Sequence, residues 1–513
     1  MFVKVKSAAL SGLKGYIVDV EVDTHKGLPG QSIVGLPDAA VKESRDRVKA
    51  AVSNSGLDFP PGYFTINLAP ADIKKEGPVY DLPIAVGILA SHNIIRTTYL
   101  KDTIFLGELS LDGAVRPVAG VLPICIEAAK NGIKRAVVPK DNASEAALVN
   151  ELEIIPAEDL LGLIGFLNGE AEVKPHTVDI EELFSKEPEY ELDLSEVKGQ
   201  FHAKRALEIA AAGGHNILMI GPPGSGKTML AKRLPTIMPP LSLGEALEVT
   251  KLYSITGFLS SRNTLVTKRP FRSPHRTTSD IGIVGGGRLP RPGEVSLAHF
   301  GVLFLDEFPE FSRDVLEVLR QPLEENEVTI CRALTSVTFP AEFMLVAAMN
   351  PCPCGNYGDR LRECQCPSWK IQRYLQKLSG PLLDRIDICI EVPRLGKEDL
   401  VSCPAGETSS QIRQRVSKAR QRQRERFSAS KISSNAKMTP KYIKKCCLLE
   451  KPAEELLKSA VLHLGMSGRA YDRVLKVALT VADLDGSQVI RESHIAEAVQ
   501  YRNILIQKCS SII

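Results

Sequence analysis

The sequence lacks the long apolar run that a membrane-spanning helix requires. Roughly 20 consecutive, mostly apolar residues are needed to cross a bilayer, and no stretch of this chain approaches that length. The first residues, Met1–Val22, alternate between apolar and polar types like a β-strand and contain no apolar signal core followed by a cleavage site. We therefore expect a cytoplasmic protein with no membrane partner.

The sequence also lacks a large excess of charge of either sign. Its net charge of +3 is too small to indicate a nucleic-acid partner by itself. The segment from Gln411 to Lys431 departs from this balance, because its eight basic residues face a single acidic residue, Glu425. Two interpretations of this segment remain open: the solvated face of a helix, or a surface that contacts a phosphate backbone.

A disulfide framework is not expected either. In a cytoplasmic protein the 11 cysteines should be reduced thiols, metal ligands or small buried residues. Four of them form two closely spaced pairs on either side of a polar loop, Cys352-Pro-Cys354 and Cys364-Gln-Cys366. The two pairs could meet around one structural Zn²⁺, although C-x-C spacing is less common than C-x-x-C. The alternative is a turn rich in reduced thiols.

The length of the chain indicates several domains. A chain of 513 residues is too long for one core and should divide into two to four domains. Short strand-like and helical patterns in residues 1–169 predict an α+β or α/β domain, and the acidic residues 170–197 predict a linker. In residues 198–396 strand-like runs alternate with helical stretches, as in a parallel sheet covered by helices. Residues 397–513 predict a small helical domain, so the overall fold class is α/β.

A phosphate-binding loop follows the strand-like run Asn216–Ile220 and precedes a helical pattern. It matches G-x-x-x-x-G-K-[ST] at every position. Glycines allow the backbone amides to curl around phosphate, and the N-terminus of the next helix adds a favourable dipole. The loop consists of Gly221, Pro222, Pro223, Gly224, Ser225, Gly226, Lys227 and Thr228. We expect Lys227 to bind the β- and γ-phosphates of ATP and Thr228 to ligate Mg²⁺.

Two carboxylates follow a second strand-like run, Val302–Leu305. Asp306 and Glu307 should lie at the carboxyl edge of a parallel sheet, where open α/β sheets bind their ligands. An Asp-Glu pair is a weak signal alone, but downstream of a phosphate-binding loop it predicts a site of ATP hydrolysis. In that site Asp306 would help to hold Mg²⁺, and Glu307 would polarise the attacking water.

Further motifs resemble the AAA+ group that contains the magnesium-chelatase ATPase subunits and the MCM helicases. The sequence FMLVAAMNP, residues 343–351, resembles the sensor-1 strand, which implies that Asn350 orients the attacking water. The sequence GPLLDRID, residues 380–387, resembles the segment with the arginine finger, which implies that Arg385 acts on the ATP of a neighbouring subunit. Residues 467–473 resemble sensor 2 and imply that Arg469 contacts phosphate. For Arg473 a salt bridge is an equal alternative.

A basic loop, residues 268–288, lies between the two nucleotide motifs. Basic side chains, one aromatic residue and a glycine hinge are the ingredients of a mobile loop that grips phosphate. In the related ATPases, insertions between these motifs form pore loops, and this resemblance implies DNA contacts for Arg272, His275, Arg276 and Arg288. An ordered contact between subunits is an equal alternative.

Nearly the whole chain resembles the ComM/YifB family of bacterial magnesium-chelatase-like proteins. The resemblance implies an AAA+ P-loop ATPase core, a C-terminal helical lid domain and an N-terminal α+β domain of the Lon-protease/S5-domain-2 type. The N-terminal similarity is carried by Lys75–Pro78 and Phe105–Gly113. Val79 stands where Lon proteases have the catalytic Ser, and Leu122 stands where they have the Lys. We therefore expect no peptidase activity; a similar inactive domain in RadA-type helicases is a DNA-binding and ring-forming scaffold.

The same resemblance implies the function. It suggests a hexameric ATPase that uses ATP and Mg²⁺, acts on single-stranded or branched DNA and promotes branch migration during recombination and natural transformation. One alternative is the ATPase subunit of a metal chelatase, although those subunits lack a Lon-like region. Another is protein remodelling or scaffold work, against which Glu307, Asn350 and Arg385 argue, because a purely assembling module does not need all three.

Overall fold

The structure is a computed structural model that describes residues 1–185, 190–259, 264–287, 290–332, 335–359, 362–396, 406–430 and 432–509. The chain divides into two compact units. The first unit comprises Met1–Glu187 and Leu243–Val266, and the second comprises Pro188–Ser242 and Thr267–Ile513. Within the described residues, no helix has both the length and the apolar character needed to span a membrane.

The strands and helices are numbered in chain order. The strands are β1 Phe2–Ser11, β2 Lys14–His25, β3 Gly30–Val34, β4 Tyr63–Ala69, β5 Thr103–Phe105, β6 Glu108–Leu109, β7 Val115–Arg116, β8 Arg135–Pro139, β9 Glu153–Ala157, β10 Ile217–Ile220, β11 Phe271–Arg272, β12 Gly285–Gly286, β13 Arg291–Pro292, β14 Val302–Leu305, β15 Glu327–Arg332, β16 Thr335–Pro340, β17 Met344–Met349 and β18 Ile388–Glu391. The helices are α1 Ala39–Asn54, α2 Asp81–Ser91, α3 Val121–Lys130, α4 Ala143–Ala146, α5 Leu160–Asn168, α6 Ile180–Ser185, α7 Phe201–Gly213, α8 Lys227–Ile237, α9 Leu243–Thr256, α10 Asp280–Val284, α11 Glu294–Leu297, α12 Arg313–Val318, α13 Arg320–Glu325, α14 Ser368–Leu375, α15 Gly380–Leu383, α16 Ser409–Arg426, α17 Pro440–Cys446, α18 Lys451–Leu464, α19 Gly468–Asp485 and α20 Glu492–Cys509.

The first unit is built on a seven-stranded mixed sheet with the order β3-β4-β2-β1-β5-β8-β9. The long strands β1 and β2 pair antiparallel, whereas β5, β8 and β9 run parallel to one another. Helix α2 is buried along its whole length, which explains why its sequence is almost entirely apolar. Its one carboxylate, Asp81, is paired with Arg47 at 2.8 Å, because a buried charge needs a partner.

The two positions compared with the Lon-type catalytic residues lie in this unit. Val79 packs against the hydrophobic core. Leu122 is fully buried, and its N–H donates to the carboxylate of Glu145 at 2.9 Å. Both side chains are hydrocarbons, so neither position supplies a nucleophile or a base.

Helix α9 belongs to the first unit, although its sequence lies between the two nucleotide motifs. It packs against α3, where the N–H of Gly120 donates to the carbonyl oxygen of Ser254 at 3.0 Å. The hydroxyl of Ser254 also donates to the buried carboxylate of Glu145. The division made from the sequence put this segment within residues 198–396, and these contacts account for the difference. The segment 170–197, expected to be a linker, contains the short helix α6; the other domain boundaries stay predictions.

The second unit contains a five-stranded parallel sheet with the order β11-β14-β17-β10-β18. The strands β10, β14 and β17 are buried at every position, since a parallel sheet is covered on both faces and its strands are continuous apolar runs. The bounds of β10 and β14 agree with the strand-like runs Asn216–Ile220 and Val302–Leu305 to within one residue, and β17 lies within the segment 343–351 that resembles the sensor-1 strand. Because the strands are parallel, their carboxyl ends lie at one edge of the sheet and their amino ends at the other.

Helices α16 to α20 complete the second unit, and several of them share its hydrophobic core with the sheet. The basic segment forms α16, and some of its cations are engaged within the unit. The guanidinium of Arg415 lies 2.6 Å from the carboxylate of Glu208, and Arg426 forms an ion pair with Asp483. These contacts favour a structural role for Arg415 and Arg426.

Candidate nucleotide site

The phosphate-binding loop connects β10 to α8 at the carboxyl edge of the sheet. Gly224 and Gly226 have φ angles of 76° and 91°, a left-handed conformation that favours glycine. Among the described residues other than the chain neighbours, no atom would lie within 4 Å of a Cβ added at either position, so the loop is open toward a ligand. Gly221 is needed for another reason, since a Cβ there would collide with the carbonyl oxygen of Val392.

Lys227 is buried under this loop. Its ammonium group donates to the carbonyl oxygens of Gly221 at 2.7 Å and Pro222 at 2.9 Å. Burial lowers the pKa of Lys227 to about 8; the charge of Arg394 acts in the same direction, and Asp306 opposes it. Within the described residues, the hydroxyl oxygen of the buried Ser225 has no hydrogen-bond partner. An open glycine loop with a buried cation and an unsatisfied hydroxyl fits the phosphates of a nucleotide.

Asp306 and Thr228 form the second part of the site. The hydroxyl of Thr228 donates to Oδ2 of Asp306 at 2.7 Å, so both oxygens lie where one Mg²⁺ could bind them. The N–H of Glu307 donates to Oδ1 of Asp306 at 2.9 Å. Glu307 has a φ of 51°, and a left-handed backbone at a non-glycine residue costs on the order of 1–3 kcal/mol. Such strain is typical of functional sites.

The basic loop reaches this site through Arg276. Its guanidinium lies 2.7 Å from the carboxylate of Glu307, and both side chains are about half exposed. Arg272 instead makes a two-point contact with Glu294, at 2.6 and 2.7 Å. The ring of His275 contacts the hydroxyl of Thr277 at 2.8 Å. Arg288 lies outside the described residues, and the DNA contacts of all four residues stay predictions.

Asn350 follows β17 at the same edge of the sheet. Its side-chain oxygen lies 3.4 Å from the ammonium group of Lys227. The structure therefore brings five expected residues together at one edge: Lys227, Thr228, Asp306, Glu307 and Asn350.

The four paired cysteines converge immediately after Asn350. All four sulfur atoms lie within 4.8 Å of one another, and the Sγ of Cys352 is 3.3 Å from Cys354 and 3.7 Å from Cys364. A tetrahedral site with Zn–S bonds of about 2.3 Å has sulfur–sulfur distances of about 3.8 Å, so the four sulfur atoms, including that of Cys366, are close enough together to surround one Zn²⁺. The backbone N–H of Asn356 is the largest cause that lowers the pKa of the Cys354 thiol to about 6.

The cysteine loop touches the phosphate-binding loop. A Cβ at Gly355 would collide with the ring of Pro223, and Gly355 has a φ of 82°. Only glycine has both the space for this contact and ready access to this backbone conformation. The close contact between the two loops therefore depends on glycine at position 355.

Arg385 and Arg469 are also brought together, but in a different cleft. This cleft of about 430 Å³ includes Asn216 and Asp387, which precede β10 and β18 and so mark the amino edge of the sheet. Since β10 has four residues, the cleft and the phosphate-binding loop are separated by about 13 Å of strand. The two arginines therefore do not approach the phosphate-binding loop of their own chain.

The arginines of the cleft differ in their partners. The side chain of Arg385 is 11% exposed, and its guanidinium forms an ion pair with Glu324. Burial lowers the pKa of Arg385, and the nearby charges of Arg320, Arg469 and Arg473 add to this effect. Arg473 forms an ion pair with Asp387, which confirms the salt bridge considered for this residue.

One candidate residue was missed by the sequence analysis. Arg394 lies just beyond β18, at the carboxyl edge of the sheet. Its charge contributes to the lowered pKa of Lys227. Its guanidinium lies 3.1 Å from Asp359. The available signal was its position after an apolar run, but the order of the strands, which brings β18 beside β10, cannot be read from one sequence.

The parallel sheet, the phosphate-binding loop and the carboxylates at its edge define a P-loop nucleotide-binding protein. Family models agree with this class and place the chain with the magnesium-chelatase subunits within it. Residues 193–400 match magnesium chelatase, subunit ChlI; residues 20–142 match subunit ChlI of Mg-chelatase; and residues 406–502 match the C-terminal part of magnesium chelatase subunit ChlI. The AAA+-like magnesium-chelatase type implies ATPase activity with ATP and Mg²⁺.

Full-length relatives identify the family. The chain is 46% identical to competence protein ComM of Haemophilus influenzae, over 99% of both chains. It is 45% identical to the uncharacterized protein YifB of Escherichia coli, over 98% of this chain and 97% of YifB. The chain belongs to the ComM/YifB family of magnesium-chelatase-like proteins. A Lon protease of Trichlorobacter lovleyi is 23% identical over 168 residues, which are 30% of this chain and 20% of that protease.

Proposed function

We propose that this protein is an ATP-driven DNA motor that assembles into a hexameric ring in the cytoplasm and promotes branch migration during recombination or natural transformation. The observation that carries the proposal is the convergence of Lys227, Thr228, Asp306, Glu307 and Asn350 at one edge of the sheet. The finer architecture belongs to the same proposal: an inactive Lon/S5-like scaffold domain, an AAA+ core and a C-terminal helical lid.

The chain's own residues divide the chemistry of hydrolysis among them. MgATP, when bound, supplies the phosphoryl group that is transferred to water. The amides of the glycine loop and the ammonium group of Lys227 would hold the phosphates, and Thr228 with Asp306 would hold the Mg²⁺. Glu307 accepts a proton from the attacking water, which Asn350 orients.

The arginine cleft supports assembly into a ring. Arg385 and Arg469 lie at the edge of the sheet opposite to the phosphate-binding loop, so they cannot complete the site of their own chain. They fit a role in which they stabilise negative charge on the ATP of a neighbouring subunit. A ring supplies every site with such a neighbour, and six subunits is the number that the family resemblance suggests.

The choice of DNA as substrate rests on two supports. The most extensive match reported above is named a competence protein. The basic loop carries the exposed side chains of His275 and Arg276, and the contact of Arg276 with Glu307 brings it to the hydrolysis site, where a bound phosphate backbone could influence turnover. Structural Zn²⁺ in the four-cysteine loop is a further part of the proposal, and it would brace the loop that follows Asn350.

A branch-migration assay tests the proposal. A labelled four-way junction is incubated with the protein and ATP, and the conversion to duplex products is followed. We expect conversion with ATP, and none with a non-hydrolysable analogue or with the Lys227→Ala variant. If the wild-type protein hydrolyses ATP but leaves the junction unchanged, the proposed branch-migration activity is wrong.

A second candidate is an ATPase subunit of a metal-chelatase complex. The observation that favours it is the match of residues 193–400 and 406–502 to magnesium-chelatase models. In that case ATP hydrolysis would be indifferent to DNA.

A further inference from the structure

We propose that Arg394 is a further nucleotide-binding residue, which contacts the phosphates of the nucleotide bound to its own chain and exchanges its ion pair with Asp359 for that contact. The inference rests on the proposed function, because it takes the glycine loop to bind a nucleoside di- or triphosphate. It concerns a residue that no sequence motif of the chain indicates.

The position of Arg394 follows from the strand order. Strands β18 and β10 are parallel neighbours, with Glu391 opposite Ile220. The pairing continues past the strand, since the N–H of Val392 donates to the carbonyl oxygen of Ile220 at 2.8 Å. The carbonyl oxygen of Val392 is packed so closely on Gly221 that no side chain fits there. Arg394, two residues further on, therefore lies beside the start of the phosphate-binding loop.

The local charge is suited to phosphate. The ammonium group of Lys227 donates to the carbonyl oxygen of Gly221 at 2.7 Å, and Arg394 comes two residues after Val392, whose carbonyl oxygen packs on the same Gly221. Two cations held together without a bound anion repel each other, and phosphates between them would remove that repulsion. A guanidinium also offers paired N–H groups that match two phosphate oxygens, which an ammonium group does not.

The Nε–H of Arg394 is a hydrogen-bond donor that the described residues leave unsatisfied. Its Nε lies 3.1 Å from Oδ2 of Asp359, but within the described residues this buried Nε has no hydrogen bond of good geometry. The Asp359 side chain is only 5% exposed, so the carboxylate fixes the guanidinium near the loop. An exchange of this carboxylate for phosphate would leave the charge of Arg394 compensated in both states.

The exchange would also change a contact of the cysteine loop, the segment that carries the pairs Cys352/Cys354 and Cys364/Cys366. Asp359 lies between the two cysteine pairs, and the same loop touches Pro223 through Gly355. Release of Asp359 would therefore report the presence of nucleotide to the loop that follows Asn350.

Calorimetric titration of the full-length protein tests the inference. ADP and adenosine are titrated into the wild type, Arg394→Gln, Arg394→Lys and Asp359→Asn, with Arg424→Gln as a control that removes an exposed cation from α16. We expect Arg394→Gln to weaken ADP binding about tenfold and to leave adenosine binding unchanged, because only the phosphate contact is lost. Arg394→Lys should be intermediate, and Asp359→Asn should bind ADP as tightly as the wild type or more tightly, since it removes the competing carboxylate.

Two results would overturn the inference. Equal weakening by Arg394→Gln and Asp359→Asn would mean that the ion pair is only structural, and unchanged ADP affinity in Arg394→Gln would mean that there is no contact. Thermal unfolding of each variant shows whether it is folded. If Arg394→Gln has a folding defect, the ADP affinity of Arg394→Lys decides whether Arg394 contacts the phosphates. A wild-type protein that does not bind ADP would overturn the proposed function itself, which is a different outcome from wild-type binding that Arg394→Gln leaves intact.

Discussion

The guanidinium of Arg276 lies 2.7 Å from the carboxylate of Glu307, the residue assigned as the base for hydrolysis. This ion pair joins the basic loop to the chemistry of the nucleotide site. It also engages the carboxylate that faces the attacking water in the proposed mechanism, and the backbone of Glu307 has a left-handed conformation. If Glu307 is the base, as we propose, this ion pair would hold its carboxylate in a resting arrangement.

Replacement of Arg276 should change turnover without changing nucleotide affinity. In Arg276→Gln the carboxylate of Glu307 is no longer shared with a cation, so we expect the basal rate of ATP hydrolysis to rise severalfold. ATP binding should be unaffected, because Lys227 and Thr228 are untouched. Steady-state kinetics and a binding titration measure the two quantities, with Arg272→Gln as a matched control whose partner is Glu294. A large fall in the rate would show that Arg276 is required for catalysis.

The lowered pKa of Lys227 predicts the pH dependence of nucleotide binding. Its pKa is about 8 without ligand, and phosphate raises it by stabilising the charged form. Below pH 8 the affinity should be nearly constant, and above it the affinity should fall by up to about tenfold per pH unit, because binding takes up a proton. ADP titrations from about pH 6.5 to about pH 9.5, on either side of this lowered pKa, measure the decline. In Lys227→Arg the decline should disappear, since arginine stays charged; a wild-type affinity that does not decline contradicts the assignment.

Much of the fold could be predicted because its signals are local. The run Val302–Leu305 is a strand at its predicted bounds, and the glycine loop has the conformation that its sequence requires. Helix α9 could not be assigned to its unit in this way, because its place depends on contacts of Ser254 with residues more than 100 positions away. The contact of Arg276 with Glu307 and the position of Arg394 likewise depend on strand order, which a pattern in one sequence does not contain.

The arginine cleft predicts complementation between inactive variants. Arg385→Ala should bind ATP normally but hydrolyse it on the order of 10³-fold more slowly, because charge on the transferred phosphoryl group is not stabilised. Lys227→Ala should be inactive because it does not bind ATP. Mixed together, the two should regain activity, since Lys227→Ala subunits supply Arg385 to intact phosphate-binding loops. Glu324→Gln is the control, as it removes the ion-pair partner of Arg385 but keeps the arginine; loss of activity there as well would indicate a structural role.

Removal of metal should affect the nucleotide site through the cysteine loop. We expect about one zinc per chain by elemental analysis, lost in Cys354→Ser and Cys364→Ser. Because Gly355 packs on Pro223, loss of the metal should also weaken ADP binding severalfold and lower the melting temperature. Cys331→Ser, which changes an exposed cysteine outside the cluster, should do neither. Freshly purified protein without zinc would contradict the site.

The most direct test of the proposed motor is the steady-state rate of ATP hydrolysis with and without single-stranded, duplex and four-way-junction DNA. The Glu307→Gln variant is the control, since it should bind ATP and turn over at least about 100-fold more slowly. We predict hydrolysis that requires Glu307 and is stimulated most by single-stranded or branched DNA. Robust hydrolysis that is the same with every DNA would contradict the motor and favour a chelatase-like or protein-remodelling ATPase.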